Sequence, residues 1–467
     1  MACLLREPPS AVEILFVKES VMAIGAGSDL ASIPLAPGVG RMLGHAPALL
    51  RDPLVFLASL PGDQPLLRLR LGPTTLVLVC EPKLVRQVFL DDRTFDKGGP
   101  LYDRVREVVG NGLVTCAHRD HRRQRRLCQP SFHSDRMPNV VAAAAGAARD
   151  MTASWHTGQI VDVLPQSMAF ATRAVLGSLF STALPDATGE RIRQALAVLD
   201  DGIFRRAFSP ALVNRLPLPA NRRYRDSSAV LRREVAAIIT SRRTEGRDRG
   251  DLLSALLGAA GPGDHDVRSL SETEIIDQVQ IFLHAGVEAS AATLAWSLHL
   301  LAEHPPVAEG VRAECDAVVG GAALAPENLP RLALTRAVVT EALRLYPPAW
   351  FLTRSLEQSA ELGGTRLPAG TAVALSPYLL HRRPDLHPEP GTFAPDRWRD
   401  TPPDRTAFLP FGAGARKCIG DRQGMDTVVT ALAVIIRNWQ LTPSTVLSPR
   451  PRALLLPRGL RLQVRAR

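Results

Sequence analysis

Residues Phe411 to Gly420 read Phe-Gly-Ala-Gly-Ala-Arg-Lys-Cys-Ile-Gly, and the rest of the chain is best understood outward from that decapeptide. It sets Cys418 directly after two cations, Arg416 and Lys417. An apolar periodic segment, Ile419 to Trp439, follows and predicts a helix starting at the cysteine. Nearby positive charge and the free N–H groups of a helix N-terminus both favour the thiolate, the form of cysteine that ligates metal. Gly412 and Gly414 suit a tight turn with positive φ, and Gly420 suits a helix lying close to a flat ligand. Phe411 is expected over the sulfur side, limiting water, and Arg416 is expected to reach an anionic edge of the ligand. The competing reading of a lone cysteine is an ordinary buried thiol under a glycine-rich turn.

The decapeptide resembles the Phe-x-x-Gly-x-Arg-x-Cys-x-Gly signature of haem-thiolate monooxygenases, the cytochrome P450 superfamily. The resemblance implies haem b (iron protoporphyrin IX) with Cys418 as the metal ligand. It also implies a mainly α-helical fold with a smaller β-rich region, in one two-lobed domain, and dioxygen as co-substrate. His121 and Arg125, four residues apart and so on one helix face, match the family pair that binds the haem propionates. Arg354, in Trp350-Phe351-Leu352-Thr353-Arg354, matches the strand arginine that meets a propionate. A solvated basic face is the alternative for the run His121 to Arg126, of which Arg122, Arg123 and Arg126 are candidates for a partner surface.

A second organising stretch begins at Ser271-Glu272-Thr273-Glu274, a capping box, and continues as apolar helix from Ile275 to His304, where Pro305-Pro306 stops it. Some thirty residues with an uncharged centre predict a helix that crosses the core. Within it Ala285-Gly286-Val287-Glu288-Ala289-Ser290 resembles the family segment in which a small pair lets the helix approach the haem. There an acid and a threonine deliver protons for dioxygen activation. Glu288 is the acid, but Ala289 stands at the threonine position. Ser290 carries a hydroxyl about 100° further round the helix. Water or a substrate hydroxyl in place of the threonine, Glu288 acting through water, and inefficient oxygen activation are the three explanations. His284, one turn before Glu288, either joins that relay or is a packed core histidine pointing elsewhere, and the second is the favoured reading.

Glu341-Ala342-Leu343-Arg344 places two opposite charges on one helix face. With Phe393-Ala394-Pro395-Asp396-Arg397-Trp398 downstream, it resembles the family lock of Glu341, Arg344 and Arg397. Other predicted elements are a hairpin over Leu66 to Val79 turning at Gly72-Pro73, and helices over Pro82 to Leu90, Val140 to Trp155, Gln166 to Phe180, Gly189 to Phe208, Asn221 to Arg243 and Leu334 to Tyr346. Leu362 to Leu375 predicts a hairpin at Pro368-Ala369-Gly370, and Pro210, Pro217 and Pro219 mark a loop between two helices. Substrate shape is expected from residues near Phe95 to Val114, the Pro210 to Pro219 loop and Trp350 to Thr353.

Composition narrows the setting. Six cysteines with no Cys-x-x-Cys pair point to a reducing compartment, the cytoplasm, with neither a disulfide framework nor a zinc site. A net charge of +10, with four lysines and only 5% aromatic residues, argues against nucleic acid and for an acidic protein partner. With no flavin or nicotinamide motif, the resemblance implies electrons from a ferredoxin and its reductase. Lys18 and Glu19 interrupt the apolar N-terminal residues, so no membrane anchor is expected. Residues 1–31 read as a tail, with Met22 a candidate initiator, and 32–467 as the domain. His121-Arg-Arg-Gln-Arg-Arg126, Leu216-Pro-Leu-Pro-Ala-Asn-Arg-Arg223 and Glu361-Leu-Gly-Gly364 resemble bacterial sesquiterpene-oxidising members, implying a small apolar, terpenoid substrate. Two rivals stand beside oxygenation. One is a haem-thiolate protein that only binds or isomerises its ligand; the other uses peroxide.

Overall fold

The computed structural model describes residues 29–467 apart from 41, 73, 183–184, 210, 259–269, 400–402, 448 and 450. Met22, most of the expected N-terminal tail, Pro73 and Pro210 lie outside the described residues. The molecule is mainly helical with smaller sheets. Its axis is the central helix Glu272–Glu303, 32 residues and so about 48 Å long. The capping box forms: Glu274 N donates to Ser271 Oγ at 3.2 Å and Ser271 N donates to Glu274 Oε2 at 2.9 Å.

This helix is the one among the described residues long and apolar enough to cross a membrane, and 78% of that window is buried inside the protein. It packs against helices Val163–Leu179, Asp421–Asn438 and Ala333–Leu345. Apolar residues on every side of it, from Ile275 to Leu301, account for its place in the core. Trp296 stacks on Tyr346 with ring centres 3.8 Å apart and donates its Nε1 to the Leu455 carbonyl.

A five-stranded sheet runs in the order Leu66–Leu71, Thr74–Val79, Ala372–Leu375, Leu352–Leu356, Phe95–Asp96. Thr74–Val79 and Ala372–Leu375 pair in parallel, and the other neighbours are antiparallel. The hairpin expected over Leu66 to Val79 is present, with Leu71 opposite Thr74. The hairpin expected at Pro368-Ala369-Gly370 is not. Ala360–Leu362 instead pairs with Thr365–Leu367 across Gly363 and Gly364, both at positive φ (58° and 75°), which two consecutive glycines adopt without strain. The Pro368 segment carries the chain across to the five-stranded sheet.

Helices begin and end within a few residues of their expected bounds, with one instructive exception. Pro305-Pro306 ends the central helix but also opens the next, Pro305–Val319, because a proline at the first helical position has no N–H to leave unpaired.

The expected charge lock is assembled, with Glu341 and Arg344 fully buried and Arg397 partly so. Glu341 accepts from Arg344 Nε (2.8 Å) and Nη2 (2.7 Å), from Arg397 Nε (3.1 Å), from Trp398 Nε1 (2.7 Å) and from Ala394 N (3.0 Å). Burial opposes the charge on Glu341, but Arg344 and these N–H groups outweigh it and hold the carboxyl's pKa below its ordinary value. Arg344 also donates to the carbonyls of His381, Pro390 and Thr392, tying two stretches of irregular chain to one helix.

Candidate active site

The cysteine loop is shaped by backbone hydrogen bonds and two glycines. Cys418 N donates to Phe411 O at 2.9 Å, closing the loop on itself. Gly412 and Gly414 lie at φ 68° and 69°, and a side chain on Gly414 would come within 2.4 Å of the Phe89 carbonyl oxygen. A side chain on Gly420 would meet the Phe132 ring at 3.3 Å, so that glycine admits an aromatic neighbour. Phe411 is half-buried against the main core.

The helix after the loop starts at Asp421, not at the cysteine, with Gly420 as its N-cap. The sulfur therefore sits one turn ahead of the helix rather than on its first residue. The expectation of an intrinsically acidic thiol also fails. Burial, reinforced by Asp421, raises the Cys418 pKa; the Gly420 N–H, Arg125 and Lys417 lower it, and burial wins. Lys417 is held by an ion pair with Asp421. A thiol in this setting loses its proton to a metal ion, which deprotonates a coordinating sulfur outright.

Cys418 is surrounded by protein yet accessible, and the same holds for Ala285 in the middle of the central helix. Ala285 is exposed while Phe282, Leu283, Val287 and Glu288 around it are buried, and Ala289 one turn on is half-buried. An accessible residue at the centre of a core helix faces interior space. Gly286 points elsewhere: a side chain there would lie 3.1 Å from Val175, so this glycine seats the central helix on helix Val163–Leu179 rather than opening it toward a cofactor. One residue is about 100° of rotation, which separates the two faces. Ser290 and Glu288 are buried, to either side of the Ala285–Ala289 face.

Around the loop lies a concentration of cations. Arg125, on helix His118–Cys128, donates to the carbonyls of Ala415 (3.2 Å) and Lys417 (2.6 Å). His121, one turn earlier, is buried, and its pKa is lowered to about 3 by burial and by Arg416 and Arg125. Arg416 is buried and, rather than extending into open space, donates to Asp92 (2.9 Å), Asp96 (2.5 Å) and the Cys116 carbonyl (2.9 Å). Arg354 is buried over the rings of Phe89 and Tyr102.

Two members of this cluster escaped the sequence reading. Lys97 donates to the Tyr102 hydroxyl at 2.7 Å. The lysine is lowered to about 8 by burial and by Arg354. The phenol falls to about 7 although burial opposes it, because Lys97 and Arg354 favour its anion. Burial is the larger cause for the lysine and the histidine, but the phenol is lowered against burial, so Lys97 and Arg354 favour negative charge at this place. That is the electrostatic fit for a ligand bearing carboxylates. The rarity of lysine in this arginine-rich chain was the available signal for Lys97.

The surface readings divide. Arg122 and Arg126 are exposed, whereas Arg123 is ion-paired with Glu274 of the central helix. His284 is not turned elsewhere: its Nε2 lies 3.3 Å from Glu288 Oε2.

A helical frame around a cavity, a shielded cysteine on a glycine loop and a cationic pocket beside it define a haem-thiolate protein. The chain belongs to the cytochrome P450 family, whose model matches residues 42–463. It is 42% identical over 441 residues to pentalenene oxygenase of Streptomyces avermitilis, covering 92% of this chain and 97% of that protein. It is 44% identical over 412 residues to cyclooctat-9-en-7-ol 5-monooxygenase of Streptomyces melanosporofaciens, covering 87% and 89%. Among solved structures, the cytochrome P450DA haem domain superposes with a TM-score of 0.81 at 28% identity, over 93% of this chain and 98% of that one. The protein is accordingly a P450 monooxygenase whose cofactor is haem b.

Proposed function

We propose that the chain oxygenates a terpenoid skeleton in the cytoplasm, drawing electrons from a ferredoxin and its reductase. The reaction inserts one atom of dioxygen into a C–H bond and releases the other as water, consuming two electrons from the donor and two protons. Haem held by the Cys418 thiolate would supply the O–O cleavage chemistry. The chain's own residues bind, orient and protect.

Cys418 is assigned as the iron ligand, with Phe411, Gly412 and Gly420 shaping its loop. His121, Arg125, Arg354, Arg416 and Lys97 are assigned to the propionates. Ala285 and Ala289 offer only methyl groups to the cavity, leaving room for an apolar substrate, and Glu288 is assigned to proton supply, with Ser290 beside it. Residues 32–467 are read as one working unit. The observation that carries the reading is the accessible Cys418 on a loop whose carbonyls Arg125 holds. The terpenoid class is supported by the names of the two Streptomyces relatives. The exposed Arg122 and Arg126, and a surface cavity of about 540 Å³ lined by Arg126, His133 and Arg136, are candidates for the donor's acidic face.

The test is spectral titration of the ferric protein with sesquiterpene and diterpene hydrocarbons and alcohols, followed by turnover under labelled dioxygen. Label in the product and a spin-state shift with at least one terpenoid are expected. Ala289 favours the second reading, ligand binding or isomerisation without oxygenation. Product free of label, or product formed from added peroxide alone, would select one of those rivals.

A further inference from the structure

Three consecutive residues of helix His118–Cys128 reach in two directions. Arg125 holds the cysteine loop by the carbonyls of Ala415 and Lys417, whereas Arg123 pairs with Glu274 and Gln124 with Gln278, both on the central helix. Glu274 and Gln278 are one turn apart. Gln278 lies seven residues before Ala285, within about 20° of the same helix face. The helix that carries His121 therefore bridges the cysteine loop and the cavity-facing side of the central helix.

Gln124 and Gln278 are 2% and 0% exposed. Gln278 Nε2 donates to Gln124 Oε1 at 2.7 Å, Gln124 Nε2 donates to the Asn111 carbonyl at 3.0 Å, and Gln278 Oε1 accepts from Leu113 N at 3.1 Å. A backbone N–H at one end and a backbone carbonyl at the other fix which way each amide faces. The loop that supplies both is held further by Asn111 N, which donates to Asp277 Oδ2 at 2.9 Å, and by Gln280 Nε2, which donates to the Val108 carbonyl. It lies close against the central helix: a side chain on Gly112 would come within 2.9 Å of the Asp277 carbonyl oxygen and 3.0 Å of Ile281, one turn before Ala285. The same loop ends at Cys116, whose carbonyl accepts from Arg416 Nη1 at 2.9 Å. Two routes, one through Arg125 and one through residues 111–116 and Arg416, thus join the cysteine loop to Gln278.

We propose that Gln124 and Gln278 are positioning residues that set the gap between the cysteine loop and the Ala285–Ala289 face, and with it the size of the group that fits on the open side of the cofactor. The proposal rests on Cys418 as the iron ligand. A buried amide pair is satisfied in one geometry, because sliding either helix breaks a bond and leaves an enclosed donor or acceptor unpaired. The neighbouring pair of Arg123 and Glu274, each about a quarter exposed, tolerates a shift that water can bridge. Registry is therefore fixed at the glutamines. Ala285 and Ala289 present only methyl groups, so the room above the cofactor depends on the separation of the two walls rather than on side chains of that face.

The haem-loaded protein and its Gln278→Leu, Gln124→Leu and Gln278→Glu variants are titrated in the ferrous state with methyl and tert-butyl isocyanide, two ligands that differ in bulk but not in the atom that meets iron. Either leucine breaks the junction, and the ratio of tert-butyl to methyl affinity is expected to rise by about tenfold. Gln278→Glu keeps an acceptor for Leu113 N and, when protonated, a donor for Gln124, so it is expected to restore the parent's ratio. Hydrogen exchange reads the same junction without any iron ligand: the amides of Asn111 and Leu113 are expected to be protected in the parent and released in Gln278→Leu. An unchanged isocyanide ratio in Gln278→Leu with the parent's ferrous-carbonyl spectrum overturns the proposal. Should the leucine variants take up no haem, the parent decides, since a Leu113 amide that exchanges at the rate of an exposed loop overturns it equally. If Cys418→Ser keeps the parent's carbonyl spectrum, the ligand assignment fails instead, and the exchange data still decide whether the junction holds the loop.

Discussion

At residue 418 the balance between burial and charge sets what the sulfur does. Burial keeps the free thiol protonated, so the thiolate exists only when iron displaces the proton. Cys418→Ser is expected to lose the long-wavelength Soret band of the ferrous-carbonyl adduct, while Cys315→Ser, at a buried cysteine near Thr335, keeps it. An absorption spectrum under carbon monoxide checks this. Ala289→Thr restores a hydroxyl beside the cavity, and product formed per reductant consumed is expected to change; an unchanged ratio leaves the alanine without a part in oxygen activation. Lys97→Leu removes one cation from the pocket and is expected to speed haem loss to an apo-globin acceptor. These residues differ in how visible they were. Cys418 was legible because its neighbours in sequence are its neighbours in space. Lys97 and Tyr102 were not, since their chemistry arises from Arg354, on a strand far along the chain.

At the scale of elements, hydrophobic periodicity located the long helices because each presents an apolar face to one core. Glu341-x-x-Arg344 could be read as a pair from its spacing, but its strength could not. That depends on Trp398 and on the carbonyls of Pro390 and Thr392, which no local pattern announces. Removing Arg344 leaves the buried Glu341 with the part-exposed Arg397 as its remaining cationic partner, so Arg344→Leu is expected to destabilise by about 3 kcal/mol. Denaturant unfolding of the holoprotein measures it. Where local signals misled, a specific competitor won. Gly363-Gly364 took the hairpin from Pro368-Ala369-Gly370, because two positive-φ positions in a row match the strand twist. Burial likewise overrode the cations beside Cys418.

For the whole molecule, acid and neutral pH act in opposite senses. Asp92, Glu274 and Glu341 are held below their ordinary range: burial opposes them, but His118 and Arg416, the Ser271 N–H and Arg123, and Arg344 respectively prevail. Their contribution is present above the unfolded carboxyl value of about 4 and disappears as pH falls through the lower folded values. Glu288 and Asp200 are raised, so they cost stability as pH climbs from about 4 through their folded values. Glu288→Gln removes one such cost, and its unfolding midpoint is expected to exceed the parent's at pH 7 but not at pH 4. Thermal scans at the two pH values check the sign.

How this scaffold tolerates alteration depends on what holds the cysteine loop. Arg125 grips the cysteine loop by the carbonyls of Ala415 and Lys417, and the loop closes through the carbonyl of Phe411. Side chains at 415 and 417 are exposed and take no share in that grip. A library of residues other than proline at codon 415 should therefore yield mostly red colonies, whereas the same diversity at 414 should bleach nearly every clone but glycine, because any side chain there meets the Phe89 carbonyl.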